Sequence, residues 1–222
     1  MNEKQSVFER IKFYIIKPSQ FFEKYKENPK YLFHLVVISM FSMVTALITK
    51  YTNAKATNEI MHTATEGMSF AEIESINTAI SIANSPILTI VLTMLGLLIG
   101  IYLMSTIYYL IIKGVFKGEG TFSHMVILTL VTSYPVKIMG LVNSFTPQSF
   151  DSISLINTLL SYVNIPSLWS LFLIIVGTSV LFEMSIKKSA IIHCILFLIG
   201  FAFAFGSYEL SNQYIDNVES VQ

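Results

Sequence analysis

Charged residues are scarce in this sequence. Asp, Glu, Lys and Arg make up 13% of its 222 residues, whereas 53% are hydrophobic and the mean hydropathy is +0.63. Soluble globular domains carry roughly twice that share of charge, about 25%. The composition therefore excludes an ordinary soluble domain and predicts a membrane protein, and we expect no nucleic-acid partner.

The sequence also lacks the motifs of common enzymes. It contains no Walker loop, nucleophile elbow or dinucleotide-binding fingerprint, and its single cysteine cannot form an internal disulfide. Side chains that could bind a metal are predicted near one membrane interface, but none has the H-x-x-x-H or E-x-x-H spacing of a metal site. They are His34, His124, Glu183, His193 and Cys194. We therefore expect a protein without enzymatic activity, cofactor or metal.

Long apolar runs are the main feature that the sequence does contain. Five segments are almost free of charge, and each is long enough to cross about 30 Å of hydrocarbon as a helix. Strand-like alternation is absent, so we predict an all-α integral membrane protein with one five-helix domain over residues 31–208. An interfacial segment, 1–30, precedes that domain, and a short outer tail, 209–222, follows it. The predicted transmembrane helices are 31–48, 86–112, 122–143, 168–186 and 190–206.

The distribution of Lys and Arg predicts how these helices are oriented. Most of the 14 basic residues precede the first helix, follow the second or lie in the turn between the fourth and fifth. All of these positions are on one side of a five-helix topology. Basic residues remain on the cytoplasmic side, so we predict the N-terminus inside and the C-terminus outside. The resulting basic inner surface faces the anionic lipid headgroups of the inner leaflet.

The N-terminal segment has the pattern of two short helices. Ser6 and Glu9 have capping-box spacing, and apolar residues then follow at helical spacing, as in an amphipathic helix on the inner leaflet. A second short helix runs from Pro18 to the Asn28-Pro29 pair. Two interpretations stay open: an anchor on the membrane surface, or a docking site for a cytosolic partner. The candidate docking residues are Phe8, Ile11, Phe21, Phe22 and Tyr25.

The connection between the first two transmembrane helices, 51–85, also contains helical signals. Ser69 and Glu72 have capping-box spacing, and apolar residues follow them at helical spacing. We therefore predict an outer loop that forms a helical hairpin bent at Gly67.

Small residues at four-residue spacing predict close helix contacts. Gly96 and Gly100 form such a pair in the second helix, and Gly200 and Ala204 form one in the fifth. Pairs of this kind allow two helix backbones to approach closely. We predict that they pack within the subunit, with a contact between two copies as the alternative.

The third predicted helix carries a proline and a lysine within three residues. Pro135 has no N–H to donate to the carbonyl near Val131, so Thr132, Ser133 or a neighbouring helix should donate instead. In one interpretation the helix is kinked at Pro135, and Lys137 lies near enough to its outer end for the ammonium group to snorkel to the headgroups. The alternative is a polar pocket that binds an anionic lipid group or a partner's carboxylate. Its candidate residues are Thr132, Ser133, Tyr134, Pro135 and Lys137.

The inner end of the fourth predicted helix carries Glu183, and Lys187 follows four residues later. Because that spacing brings two side chains together on one helix face, we predict an ion pair between them. We expect no pairing of Glu183 with Lys137, because Lys137 is predicted near the opposite, outer interface.

Four patches of the sequence, taken in order, resemble the Yip1-domain family of polytopic membrane proteins, and its bacterial branch in particular. The first is the aromatic segment KPSQFFEKYKENPK before the first helix. The glycine-rich loop FKGEGTF and the tripeptide SYP follow. The last is LWSLFLIIVGTSVLFEMSIKKSA, which is similar to the family's fourth helix and basic turn. The long cytosolic domain of the eukaryotic branch has no counterpart in this sequence.

The resemblance implies a five-helix membrane protein without established chemistry. Members of the family are described as organisers or adaptors of other membrane proteins, and some bacterial members assist ABC exporters. It therefore implies a non-enzymatic scaffold or accessory protein of a bacterial cytoplasmic membrane, with an ABC transporter as a possible partner. The alternative is a small transporter or channel for a solute or lipid, which would use the polar residues of the third helix.

Overall fold

A computed structural model describes residues 7–54, 65, 67–83, 85–146 and 155–219. Every regular element in these ranges is a helix, and they contain no strand. The helices are α1 Val7–Ile16, α2 Pro18–Lys26, α3 Leu32–Thr52, α4 Phe70–Ala83, α5 Pro86–Tyr109, α6 Phe122–Thr132, α7 Tyr134–Asn143, α8 Leu155–Tyr162, α9 Ile165–Leu181 and α10 Ile186–Glu219. A π-helical turn, Leu110–Val115, extends α5.

Four of these helical segments are long and apolar enough to cross a membrane, among the residues that the structure describes. They are Leu32–Thr52, Pro86–Val115, Phe122–Asn143 and Ile186–Tyr208. Helix α9 is the fourth predicted crossing, and with 17 residues it is shorter than the others. The protein is therefore an all-helical membrane protein with several apolar helices.

The chain divides into two compact units. The first unit comprises residues 1–31, 104–136 and 150–222, and the second comprises 32–103 and 137–149. In the first unit, α9 packs against α2, α6 and α10, and α1 packs against α2. A buried apolar core fills this unit. Its largest fully buried members are Phe22, Ile112, Met125, Ile127, Leu128, Leu173 and Phe182.

Prolines set the boundaries of the N-terminal helices. Helix α1 ends two residues before Pro18, and Pro18 occupies the first turn of α2, where the missing N–H costs no helix hydrogen bond. Helix α2 ends shortly before Pro29. The two short helices therefore agree with the prediction from the sequence, whereas Ser6 of the predicted capping box lies outside the described residues.

The third apolar segment is broken, as its proline predicts. Helix α6 ends at Thr132, Ser133 forms a turn, and α7 begins at Tyr134. The Ser133 N–H and hydroxyl both donate to the Leu130 carbonyl, at 3.2 and 2.7 Å. The break falls at Ser133, two residues before Pro135, because the ring of Pro135 and its missing N–H disrupt the preceding turn of the helix.

The helix predicted as the fourth crossing ends earlier than expected, which overturns one predicted ion pair. Helix α9 stops at Leu181, and Glu183 takes the left-handed conformation, with φ of 52°, in the turn before α10. Glu183 and Lys187 therefore do not share a helix. The Glu183 carboxylate instead pairs with Lys26 Nζ at 2.9 Å. The prediction of a Glu183–Lys187 pair was wrong because it assumed a continuous helix through residue 186.

The second unit contains α3, α4 and the first part of α5. Lys50 Nζ donates to Thr89 Oγ1 at 3.0 Å, and the Thr52 hydroxyl donates to the Ser144 carbonyl at 3.0 Å. The Glu72 carboxylate accepts hydrogen bonds from the N–H and hydroxyl of Ser69, at 2.8 and 2.6 Å, as the capping-box spacing predicts. The other arm of the predicted outer hairpin lies outside the described residues.

Candidate functional site

Three of the sequence patches meet at one end of the first unit. The end of α2, the loop 116–120 and the turn 182–185 come together there, and we call this region the charged rim. The Glu119 N–H donates to the Phe182 carbonyl at 3.0 Å, which joins the loop to the turn. Lys26 Nζ pairs with Glu183 at 2.9 Å, which joins α2 to the same turn. The rim therefore unites segments that lie far apart in the sequence.

Glycine is needed at two positions in the loop of the rim. A Cβ atom at Gly120 would lie 2.7 Å from the Leu181 carbonyl oxygen and 2.6 Å from the Phe182 ring. A Cβ atom at Gly118 would lie 2.9 Å from Ile112. Because a backbone carbonyl cannot move aside as a flexible side chain can, Gly120 is the more restrictive of the two. The loop thus packs directly on the end of α9.

His124 fixes α2 to the start of α6. Its Nδ1 accepts a hydrogen bond from the Thr121 N–H at 2.9 Å, as the glutamate of a capping box would. A ring nitrogen that accepts carries no proton, so the proton resides on Nε2 and is donated to the Lys26 carbonyl at 2.9 Å. This role of His124 was not predicted from the sequence, although the Thr121-x-x-His124 spacing is a usable signal.

The ion pair of the charged rim, between Lys26 and Glu183, is exposed to solvent. The hydrogen bond and charge of Glu183 raise the pKa of Lys26, and those of Lys26 lower the pKa of Glu183. Their side chains are 40% and 46% exposed, so water screens the attraction. Two further lysines reach the loop: Lys188 Nζ donates to the Phe116 carbonyl at 2.6 Å, and Lys113 Nζ to the Gly120 carbonyl at 3.3 Å.

Helix α1 contacts the broken third helix through one tyrosine. The Tyr14 hydroxyl donates to the Val131 carbonyl at 3.0 Å, and its ring meets the edge of Tyr134 at 6.2 Å between centroids. Burial raises the pKa of the Tyr14 hydroxyl, and the neighbouring Tyr134 raises it further, so the hydroxyl remains a donor at physiological pH. The sequence left the donor near Val131 open between Thr132, Ser133 and a neighbouring helix, and the structure shows a donor from another helix, Tyr14.

The predicted docking residues of the N-terminal segment have different surroundings. Phe21 and Phe22 are buried in the core of the first unit, and a Cβ atom at Gly177 would lie 2.8 Å from Phe22 Cζ. Tyr25 is half-buried, and Ile11 is 51% exposed. The side chain of Phe8 lies outside the described residues. The aromatic side of α2 therefore faces the protein's own core, and Ile11 is the exposed one among the members whose side chains are described.

The predicted polar residues of the third helix are not gathered into one described site. The Thr132 hydroxyl donates to the Thr129 carbonyl at 3.4 Å and the Ser133 hydroxyl to Leu130, so both bond within the helix. Tyr134 and Pro135 belong to the first unit with them, whereas Lys137 belongs to the second. Lys137 is half-buried.

The histidines of the predicted inner interface have structural partners. His193 is buried, and its Nε2 lies 2.8 Å from the Thr178 hydroxyl, while His124 holds α2 as described above. Among the described residues, no group of three or more His, Cys, Asp or Glu side chains could hold a metal ion.

Comparison with known proteins gives one family match. The model of the Yip1 domain family matches residues 12–208, which is well over half of the chain and includes α2, the charged rim and all the candidate spans. No curated protein and no solved structure matches the chain significantly.

Proposed function

Because the chain belongs to the Yip1 domain family, we propose that it is a non-enzymatic scaffold or accessory protein that assists the assembly or activity of other membrane proteins. An ABC exporter is the partner class that the family resemblance favours, and the cytoplasmic membrane of a bacterium is the location it favours. The proposal includes five crossings, with α9 as the fourth. Its 17 residues span about 26 Å, which is within the shorter range of membrane helices.

The low burial of helix α5 is the observation that supports this proposal. The segment Pro86–Val115 is the most apolar candidate span, yet only 6% of its apolar window is buried. Among the described residues, no atom outside the helix lies within 4 Å of a Cβ placed at Gly96 or Gly100. A second apolar helix could therefore approach this backbone closely, as small-residue pairs allow in membranes. The earlier expectation that these two glycines pack within the subunit was wrong for the described residues.

The polar groups of the third helix favour a scaffold over a transporter. A transport path requires polar groups that face a cavity or a substrate, and discontinuous helices commonly supply them. Here the Thr132 and Ser133 hydroxyls bond to carbonyls of their own helix. An open depression occurs elsewhere, on α4, where Phe70, Ile73 and Glu74 line it.

The proposal also includes contact with anionic lipid. Lys113, Lys117, Lys187 and Lys188 are exposed around the charged rim. On the predicted cytoplasmic side, each such lysine near an anionic surface contributes about 1 kcal/mol of attraction. The rim would thus keep α2 and the loop at the headgroup level while α5 remains available to a partner.

A pull-down with matched variants tests the scaffold. The tagged protein is crosslinked in native membranes and purified, and co-purifying membrane proteins are identified and quantified. Gly96→Leu with Gly100→Leu should reduce recovery of the partner about tenfold or more, which corresponds to a loss of about 1.4 kcal/mol of contact energy. Gly206→Leu is the control, because Gly206 in α10 is equally open among the described residues.

Recovery of the same partner with both variants would contradict the role of α5. Should the purified protein by itself move solute or lipid across liposomes, the transporter alternative would replace the scaffold. Thermal unfolding of each variant in detergent separates loss of binding from loss of folding.

A further inference from the structure

We propose that Tyr14 is a lock between the N-terminal helix and the third membrane helix, in which its hydroxyl supplies the hydrogen bond that Pro135 removes. The packing of α1 against the first unit and the conformation of the helix break would then change together, as one coupled equilibrium. The proposal does not depend on the scaffold function, because it concerns contacts within the first unit.

The geometry of the break shows why a donor is required there. In an unbroken helix, residue 135 would donate its N–H to the carbonyl of residue 131, but proline has no N–H. Val131 is fully buried, so water cannot easily replace the missing donor. At the break, the Ser133 N–H is shared between the Leu130 carbonyl, at 3.2 Å, and the Val131 carbonyl, so Val131 receives only part of one backbone donor. The side-chain donor to Val131 is Tyr14, at 3.0 Å.

The surroundings of Tyr14 hold it in this position. Its ring makes edge contacts with Phe21 at 5.3 Å and with Tyr134 at 6.2 Å between centroids. Phe21 belongs to α2, which packs on α9, and Tyr134 adjoins the break itself. The hydroxyl thus reaches Val131 only while α1 and α2 are seated. If a partner or the membrane displaced α1, the break would lose a hydrogen bond, and the third helix would have to rearrange to satisfy Val131.

The chain contains a matched control for this contact. The Tyr162 hydroxyl donates to the Phe197 carbonyl, also at 3.0 Å. Phe197 lies inside the uninterrupted helix α10, where the N–H of Phe201 already bonds to that carbonyl. Removal of the Tyr162 hydroxyl therefore leaves the Phe197 carbonyl with its helix hydrogen bond. Removal of the Tyr14 hydroxyl leaves the Val131 carbonyl without its helix donor, because Pro135 has no N–H.

The test measures amide hydrogen exchange of the full-length protein in lipid nanodiscs. Tyr14→Phe keeps the ring contacts and removes only the hydroxyl. It should speed exchange in Val7–Ile16 by about threefold to tenfold, the range that the loss of one buried hydrogen bond predicts. Tyr162→Phe should change exchange in Leu155–Tyr162 by less than about twofold, because its acceptor keeps a donor.

The decisive comparison repeats Tyr14→Phe in a Pro135→Ala background. Alanine restores the N–H at position 135, so Val131 no longer depends on Tyr14, and the effect of Tyr14→Phe should shrink to less than about twofold. Pro135→Ser restores the same N–H and replaces the alanine variant if that variant does not fold. An equal effect of Tyr14→Phe in the proline and non-proline backgrounds would overturn the lock. So would an effect no larger than that of Tyr162→Phe.

Discussion

Helices α9 and α5 are both almost entirely apolar, but they occupy opposite environments. In α9, Leu173, Val176, Gly177, Thr178 and Leu181 are buried against neighbouring helices. In the Pro86–Val115 segment, only 6% of the apolar window is buried. Apolar composition makes the two helices look alike, because hydrocarbon and a protein core favour the same side chains. Composition does not distinguish α9, whose residues are buried against neighbouring helices, from α5, whose residues are mostly exposed.

Their glycines show the same contrast. A Cβ atom at Gly177 would collide with Leu128 and Phe22, so glycine there permits α2 and α6 to approach the backbone of α9. A Cβ atom at Gly96 or Gly100 of α5 would meet no described atom within 4 Å. A small residue in a membrane helix therefore marks either a completed contact or an open surface, and only its neighbours in space separate the two.

The largest expected effect comes from the aromatic side chain that α9 buries. Phe22→Ala should destabilise the folded protein by about 3–5 kcal/mol, because it removes a fully buried ring and leaves a cavity. Leu95→Ala in α5 is the control, since Leu95 is 52% exposed, and it should cost much less. Thermal unfolding in detergent measures both. Equal shifts in unfolding temperature would mean that α2 is not held by the core of the first unit.

An intermediate effect is expected from the glycines. Gly177→Ala should destabilise by about 1–3 kcal/mol, because the core of α9 must shift to admit one methyl group. Gly100→Ala should be neutral or stabilising by up to about 1 kcal/mol, since alanine favours the helix and nothing described obstructs it. The same unfolding measurement applies to both variants. Destabilisation by Gly100→Ala in the purified protein would indicate a close contact at α5 and would contradict the contrast between the glycines of α9 and α5.

The smallest effect is expected at the charged rim, where α9 ends. The pKa of Glu183 is lowered from its ordinary value of 4.5, so its contribution to stability is present above that pH and is lost as the pH falls through the lowered pKa. The pKa of Lys26 is raised from 10.5, so its contribution is present below that pH and is lost only at more alkaline pH. Both contributions are therefore complete at neutral pH.

Glu183→Gln should produce a slight loss of stability at pH 7 that disappears as the pH falls below about 4.5 and shrinks in high salt. Unfolding temperatures across pH for the parent and the variant measure this difference. A difference that persists undiminished in acid would show that Glu183 acts through its conformation in the turn rather than through its charge.

The local pattern of the sequence was sufficient for much of the helical architecture. The apolar runs predicted the membrane helices, Pro18 and Pro29 predicted the limits of α2, and Pro135 predicted the break in the third segment. The match to the Yip1 domain family supports the resemblance that the four patches suggested. These features depend on neighbouring residues, on helix propensity and on the cost of exposing backbone to hydrocarbon, all of which act within a few residues.

The candidate site depended on contacts between distant parts of the chain. No sequence pattern links Lys26 to Glu183, and the nearby Lys187 suggested a different partner. Phe21 and Phe22 have the same pattern whether they face lipid, a partner or the protein's own core. Tyr14 and Val131 are 117 residues apart, and His124 and the Lys26 carbonyl are 98 apart, so no local periodicity could connect them.

The sequence by itself determined that this protein is helical, resides in a membrane and breaks its third apolar segment near Pro135, because hydrophobicity and proline act locally. The tertiary structure alone decided that one face of α9 is buried while α5 is mostly exposed, that Phe21 and Phe22 of α2 lie in the protein's own core, and that Tyr14 donates to the carbonyl freed at the break. These outcomes depend on which apolar helices pack against each other. Hydrocarbon is as apolar as leucine, so close packing and a few specific hydrogen bonds, rather than hydrophobicity, determine the contacts between helices.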